Sequence, residues 1–198
     1  SEEIDEKSTA IAYTYDIPMN IYTEEPDGDI LKVDFMELYT DAFDMGKSDM
    51  VTTMMGSSMA SAEMSMMGMN VMEEMLPNED GTGVNDIVKN QYEVVKGNWP
   101  EKYNEVVLII DKNNELVDYV LYALGIKNQT ELMQIMQDMM QGKELKKSTQ
   151  TKYSYDDILN MEFKVVNTGD YYTKNKKTGL WEDNRENDYF VKNLVEDG

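Results

Sequence analysis

Apolar and polar residues alternate over the first part of the chain, where the apolar positions are Ile11, Tyr13, Tyr15, Ile17, Met19 and Ile21. This period of two places successive side chains on opposite faces, and it predicts a long half-buried strand. Pro18 lies inside the run and favours a bulge, a bend or an edge position there. The sequence Glu25-Pro26-Asp27-Gly28 predicts a turn, and the apolar residues after it predict a second strand over 30–35, paired with the first.

Two later segments have apolar residues at helical spacing. In the first segment these residues are Leu116, Val117, Val120, Leu121 and Leu124. Gly125 is placed to end this helix. In the second segment, which Thr130 can cap and Gly142 can end, they are Leu132, Ile135, Met136, Met139 and Met140. This second pattern is the cleanest amphipathic helix of the chain.

The remaining segments predict short elements of both kinds. Strand-like runs over 92–95 and 106–110 are joined through the corner Gly97-Asn98-Trp99-Pro100. Ser154 and Asp157 have the spacing of a capping box, which predicts a short helix ending at Asn160. The other predicted elements are a short helix over 36–43, a helix or turn over 84–90, a strand over 161–165, a hairpin around 177–179 and a last helix over 190–195. Mixed strands and helices with local hairpins predict an α+β fold.

Residues 45–76 have an unusual composition, because they hold eleven of the chain's eighteen methionines among Ser, Ala and Gly. Thioethers are soft ligands that suit Cu(I), and methionine is also the adaptable contact residue of promiscuous binding surfaces. A third interpretation is a flexible insertion that packs loosely on the rest of the domain. The candidate partner surface comprises Met54, Met55, Met59, Met64, Met66, Met67 and Met69.

Composition excludes several kinds of chemistry. The 198-residue chain has no Cys and no His, so it cannot form a disulfide, a thiolate metal site or a Ser-His-Asp triad. Its 39 acidic and 18 basic residues give a net charge of −21, which repels nucleic acid and anionic surfaces.

Acidic pairs such as 156–157 and 182–183 are expected by chance at this acid content, and they predict a solvated surface. A glycoside hydrolase would instead need two carboxylates that face each other across a cleft. Residues 27–29 and 111–115 only faintly resemble calcium loops, without the spacing of an EF-hand. The tyrosines at strand-like positions predict packing in preference to a surface for stacking carbohydrate.

The apolar segments are too short to cross a bilayer. The longest aliphatic run is 106–110, whereas a membrane span needs about 20 apolar residues. Residues 1–8 are polar and charged, and we expect them to be a linker, with one domain over 9–198.

Several segments resemble the extracellular domain of MacB/FtsX-type ABC-transporter permeases, particularly the Gram-positive branch. The similar segments are YEVVKGNWP (92–100), NEVVLII (104–110), DYVLYALG (118–125), YSYDDIL (153–159), FKVV (163–166), DYY (170–172) and the Lys-Thr-Gly turn before Trp181. The Met/Ser/Gly-rich insertion before Gln91 is also similar to that branch. These motifs are structural, and none of them is a ligand-binding residue set.

The resemblance implies a two-lobed MacB-like α+β core domain with a porter-like βαβ lobe and a variable insertion lobe, the latter including parts of 36–86 and 127–196. Residues 1–8 would then link it to a preceding membrane helix, and both termini would point toward one end of the fold. The domain itself would be non-catalytic, without a cofactor or metal, on the outer face of the cell membrane.

The implied partners follow from the same resemblance. They are a cognate cytoplasmic ABC ATPase that binds ATP separately, a second permease copy, and an unidentified extracellular substrate or accessory protein. Movement of the membrane helices would drive export or mechanical work on an external molecule. Two alternatives stay open: a secreted or lipid-anchored binding module for a peptide, glycan or soft metal, and a carboxylate-based hydrolase.

Overall fold

The computed structural model describes residues 19–34, 71–144 and 150–197 of the chain. Helices and strands both occur there, which confirms the α+β class. In chain order the elements are β1 (Asn20–Glu24), β2 (Ile30–Lys32), α1 (Asp86–Lys89), α2 (Asp118–Ala123), α3 (Gln129–Met140), α4 (Tyr155–Leu159), β3 (Lys164–Val166), a 3₁₀ turn (Thr168–Tyr171), β4 (Tyr172–Lys174), β5 (Trp181–Asp183) and α5 (Asp188–Asp197). Residues 11–18 of the strand predicted over 11–21, and the short helix predicted over 36–43, lie outside the described residues.

The chain divides into two compact units. Among the described residues, the smaller unit comprises Glu73–Glu115 and Tyr153–Asn160, and the larger unit comprises the rest. β1 and β3 pair in one sheet of the larger unit.

The larger unit is built on a three-stranded antiparallel sheet with the strand order β2-β1-β3. Thr23 lies opposite Leu31 on one side of β1, and Asn20 lies opposite Val166 on the other side. The turn between β1 and β2 is the predicted one, with Gly28 at a φ of 87°. Strand β3 begins three residues later and ends one residue later than the predicted strand over 161–165, because its pairing with β1 covers 164–166 only.

One face of this sheet carries the main apolar cluster. Tyr22 and Val166 lie on that face and pack with Tyr171 and with Val195 of α5. The hydroxyl groups of Tyr22 and Tyr171 share a buried hydrogen bond of 2.8 Å, and Tyr171 is only 2% exposed. Pairing these hydroxyls matters because an unpaired buried polar group is destabilising.

The opposite face of the sheet lies against the end of α2. Leu121, Tyr122, Ala123 and Leu124 are buried there. Gly125 follows with a φ of 70°, so it ends the helix as predicted. A Cβ atom at this position would lie 2.9 Å from Thr23 Cγ2 and 3.2 Å from the Glu24 carbonyl oxygen. Glycine therefore serves both the left-handed backbone and the close approach of the loop to β1.

Helix α3 forms where the periodicity predicts it, but its capping residue is different from the predicted one. Asn128 is the N-cap, and its side chain accepts a hydrogen bond from the Thr130 backbone N–H. Asparagine is among the strongest N-cap residues, and the helix consequently begins at Gln129, ahead of the Thr130 cap expected from the sequence. Gly142 ends the helix region with a φ of 68°.

The smaller unit contains α1, α4 and long irregular segments. The predicted capping box is present: Asp157 N–H donates to Ser154 Oγ at 3.1 Å, and Asp157 Oδ2 accepts from the Ser154 backbone N–H. The strands predicted over 92–95 and 106–110 do not form ladders with any described residue. Their apolar residues gave a strand-like pattern, but strand formation needs a neighbouring backbone, which local sequence does not report.

Candidate interaction surfaces

The acidic turn, residues 24–29, lies against the beginning of α3. The Gln129 backbone N–H donates to Glu25 Oε1 at 2.7 Å, and the Asn128 side-chain amide donates to Asp27 Oδ2. Asp29 Oδ1 lies 3.8 Å from Lys192 Nζ on α5. The turn therefore ties the β1–β2 hairpin to the positive end of the helix dipole.

The pKa of the Glu25 carboxyl is raised above its usual value. Burial raises the pKa, the Gln129 N–H acts in the opposite direction, and the charges of Asp27 and Asp29 raise it further. The described part of the chain contains no group of three or more acidic, His or Cys side chains arranged to hold a metal. The carboxylates of this turn act as helix caps and ion-pair partners.

The second calcium-like loop, residues 111–115, is closed on itself. Asp111 Oδ1 accepts from the backbone N–H groups of Asn113 and Glu115 at 2.8 Å and 2.7 Å. Asn114 adopts a left-handed φ of 59°, which asparagine tolerates better than most residues. The loop thus uses its leading carboxylate as a local backbone acceptor.

The acidic pairs that could have served a hydrolase are engaged in local contacts. Asp157 closes the capping box of α4, and Asp156 lies 3.4 Å from Lys96. Glu182 accepts from the Asn175 side-chain amide at 2.6 Å, while Asp183 binds Arg185. These arrangements are typical of a solvated surface and do not resemble two carboxylates facing across a cleft.

The smaller unit exposes a large share of its apolar side chains. Its exposed apolar residues are Ile87, Tyr92, Val94, Val95, Tyr103, Val106, Ile109, Tyr153, Tyr155 and Leu159. Val84 is its one buried apolar side chain among the described residues.

The hairpin tip, residues 174–181, is the most distinctive exposed surface of the larger unit. Strands β4 and β5 pair so that Lys174 lies opposite Trp181. Leu180 is 68% exposed and Trp181 is 67% exposed. The tip also carries Lys176 and Lys177 and has no acidic residue. It combines two large exposed apolar side chains with three ammonium groups.

Hydrogen bonds within the tip hold it in one shape. Asn175 Oδ1 accepts from the backbone N–H groups of Lys177 and Thr178 at 2.9 Å and 3.1 Å. The Asn175 and Gly179 N–H groups donate to the carbonyl oxygens of Leu180 and Asn175, both at 2.8 Å. Asn175 therefore organises the loop, in the manner typical of asparagine in turns.

The base of the hairpin is fixed to the core by polar contacts. The Asn184 side-chain amide donates to the Tyr171 carbonyl oxygen at 2.9 Å and to Thr173 Oγ1 at 3.1 Å. Arg185 Nε donates to both oxygens of Asp183 at 3.0 Å, which lowers the pKa of that carboxyl to about 2. The Arg185 guanidinium also lies 5.8 Å from the centre of the Tyr172 ring.

The seven methionines of the predicted partner surface lie outside the described residues. They are Met54, Met55, Met59, Met64, Met66, Met67 and Met69.

The tyrosines differ in exposure: Tyr22 and Tyr171 are core residues, whereas Tyr153 and Tyr155 are exposed. The hairpin tip was missed as a surface, although its signal was present in the sequence. Three lysines within four residues, next to Leu-Trp, stand out in a chain of net charge −21.

No helix in the described part of the chain is long and apolar enough to cross a membrane. No protein-family model matches this chain, and no match was found among curated proteins or solved structures.

Proposed function

We propose that this chain is a non-catalytic extracellular domain of an ABC-transporter permease of the MacB/FtsX type. The observation that carries the proposal is the ordered series of similar segments between Tyr92 and Trp181. They include the corner after residue 96, the helix ending in Leu-Gly and the Lys-Thr-Gly turn. The two-lobed organisation of that family is part of the proposal.

The position of these segments in the fold supports the proposal. The segment 118–125 forms α2 and its glycine end, against β1. Gly97 of the Gly-x-x-Pro corner has a φ of 85°, and a Cβ atom at this position would lie 3.3 Å from Leu159 Cδ2. The segment of Leu159, 153–159, also belongs to the resemblance. The segments that carry the resemblance therefore take part in the packing of each unit, as expected of structural motifs.

The chain path of the larger unit gives further support. β1 pairs with β3, and Val195 of α5 packs into the same cluster as Tyr22. Residues from distant parts of the chain therefore build one core in this unit, as the proposed domain requires.

In this proposal the domain transmits movement and performs no chemistry. A cytoplasmic ATPase would close on ATP, the membrane helices would move, and the extracellular domain would act on an external substrate or partner. The alternative is a secreted or lipid-anchored module that binds a peptide, glycan or soft metal, and the exposed apolar residues of the smaller unit favour a binding role of either kind.

Cysteine labelling of the full-length protein tests the proposal, because the chain has no cysteine of its own. Tyr103 is fully exposed and packs against nothing, so Tyr103→Cys should preserve the fold. We expect a membrane-impermeant maleimide to label this variant in intact cells as completely as in permeabilised cells. The labelled protein should also stay in the membrane fraction after an alkaline wash.

Two outcomes would contradict the permease proposal. Labelling that appears only after permeabilisation would place the domain on the cytoplasmic side of the membrane. Labelled protein in the culture medium would favour the secreted binding module instead.

The control variant should carry its cysteine at another exposed position of the same unit. Ser154 is unsuitable because its side chain caps α4. Lys112 is exposed in the same unit, so Lys112→Cys is the matched control for Tyr103→Cys.

A further inference from the structure

We propose that the hairpin tip, residues 174–181, is a membrane-contacting surface that binds anionic lipid headgroups. Its three ammonium groups, its exposed Leu-Trp pair and its fixed loop geometry carry this proposal together. It goes beyond the permease proposal, because a lipid-binding tip would serve a membrane-tethered binding module equally well. Failure of lipid binding would leave the permease proposal standing.

The charge of the tip is opposite to that of the chain. Lys174, Lys176 and Lys177 lie within eight residues that contain no acidic side chain, whereas the chain has 39 acidic residues against 18 basic ones. In the described part of the chain, the ion pairs use other cations, and none of them engages these three lysines. Their charge is therefore available to an anionic surface.

The apolar side chains of the tip lie beside these charges. Trp181 is directly opposite Lys174 in the β4–β5 register, and residues opposite each other share one face of a sheet. Tryptophan is enriched at membrane–water interfaces, where lysine keeps its ammonium group at the headgroups while its carbon chain lies along apolar surface. Leu180 adds a second exposed apolar side chain next to Trp181.

The hydrogen bonds within the loop preorganise the hairpin tip for binding. Asn175 accepts from two loop N–H groups, and the Gly179 N–H donates back to the Asn175 carbonyl oxygen. Because these bonds fix the loop before contact, little conformational entropy is lost when it meets a surface.

A lipid surface suits the tip better than a second protein does. A stable protein interface buries roughly 1,200–2,000 Å² around an apolar centre, and two apolar side chains on a hairpin are too few to form one. An anionic leaflet instead presents many headgroups to a small cationic tip, and each lysine near it strengthens binding about fivefold. The acidic remainder of the chain is repelled by the same leaflet, which would orient the tip toward it.

Vesicle binding by the full chain tests the proposal. Vesicles of phosphatidylglycerol mixed with phosphatidylcholine would be compared with vesicles of phosphatidylcholine alone, by co-sedimentation at low salt. In a Trp99→Phe background Trp181 is the only tryptophan, so its fluorescence reports the tip. We expect binding to the anionic vesicles only, a shift of the Trp181 emission to shorter wavelength, and loss of both with added salt.

A matched pair of variants separates the tip from general charge. Lys176→Gln/Lys177→Gln should weaken vesicle binding about 30-fold, the product of two lysine contacts. Lys102→Gln/Lys112→Gln changes the net charge equally at exposed positions of the smaller unit and should bind like the parent chain. All four positions are exposed, and thermal unfolding of each variant checks that the fold is intact.

Three results would overturn the proposal. The first is equal binding of the parent chain to anionic and neutral vesicles, or no binding to either. The second is an equal loss of binding in the two double variants. The third is a concentration-dependent dimer in sedimentation that Lys176→Gln/Lys177→Gln abolishes, which would assign the tip to a second copy of the chain.

Discussion

Single residues decide how the larger unit closes, and Gly125 is the clearest example. Its left-handed backbone ends α2, and its missing side chain lets the loop lie against Thr23 and the Glu24 carbonyl group. The spacing of the apolar residues before it predicted the first role. The second role could not be predicted, because the contact with β1 joins residues about one hundred positions apart along the chain.

Gly125→Ala should lower the free energy of unfolding by about 2–4 kcal/mol, because the left-handed backbone and the overpacking against β1 both disfavour alanine. Gly142→Ala is the matched control. Gly142 has a φ of 68°, nearly that of Gly125, but nothing lies within 4 Å of its added Cβ atom. The control should lose only about 1–2 kcal/mol, the backbone part of the effect. Urea denaturation of both variants would measure the difference.

Equal losses in the two glycine variants would contradict the close approach of Gly125 to β1. The fold would then depend on the backbone conformation at position 125 and not on the packing there.

At the scale of elements, the helices were the most predictable part of the fold. α2 and α3 form where apolar spacing places them, and α4 forms where its capping box places it, because both signals are local in sequence. The N-cap of α3 is nevertheless Asn128 and not the predicted Thr130. The β4–β5 hairpin also forms around the predicted Lys-Thr-Gly turn. The runs over 92–95 and 106–110 were less predictable, since an isolated apolar run does not reveal which backbone lies beside it.

The contact between the acidic turn and α3 can be tested through the charge of Glu25. Burial raises the pKa of Glu25 above its usual value of 4.5, so its charged form disfavours the folded state. This unfavourable contribution is fully present above the raised pKa. It disappears as the pH falls from the raised pKa toward 4.5, where the unfolded chain also takes up the proton.

Glu25→Gln keeps an oxygen acceptor for the Gln129 N–H but removes the charge. We expect this variant to be more stable than the parent chain at neutral pH, and to lose the part of the pH dependence that Glu25 causes. Glu25→Ala, the control, removes the acceptor as well and should cost about 0.5–1.5 kcal/mol relative to Glu25→Gln. Thermal unfolding between pH 4 and pH 8 would measure both. An unchanged pH profile in Glu25→Gln would show that the carboxyl is solvated.

For the whole molecule, the composition excluded more classes of function than the fold did. The absence of His and Cys excludes thiolate and imidazole metal ligands and a Ser-His-Asp triad, and the charge of −21 disfavours nucleic acid. The candidate surfaces depend on exposure, which a sequence does not report. Leu180 and Trp181 were predicted as part of a hairpin, yet only the structure shows that both point away from the core cluster.

The exposed apolar residues of the smaller unit and the hairpin tip of the larger unit suit a domain that works against other surfaces. Within the described residues, each unit has its own sequence motifs, hydrogen bonds and exposed surface.

We propose that this chain works as part of an ABC transporter, and co-purification of its subunits would test this proposal. The full-length protein would be purified from detergent-solubilised membranes and assayed for vanadate-sensitive ATP hydrolysis. We predict that an ABC ATPase subunit co-purifies in stoichiometric amount, and that hydrolysis is lost when its ATP-binding lysine is replaced. Membrane-extracted protein without an ATPase subunit, or protein recovered only from the medium, would contradict the permease proposal.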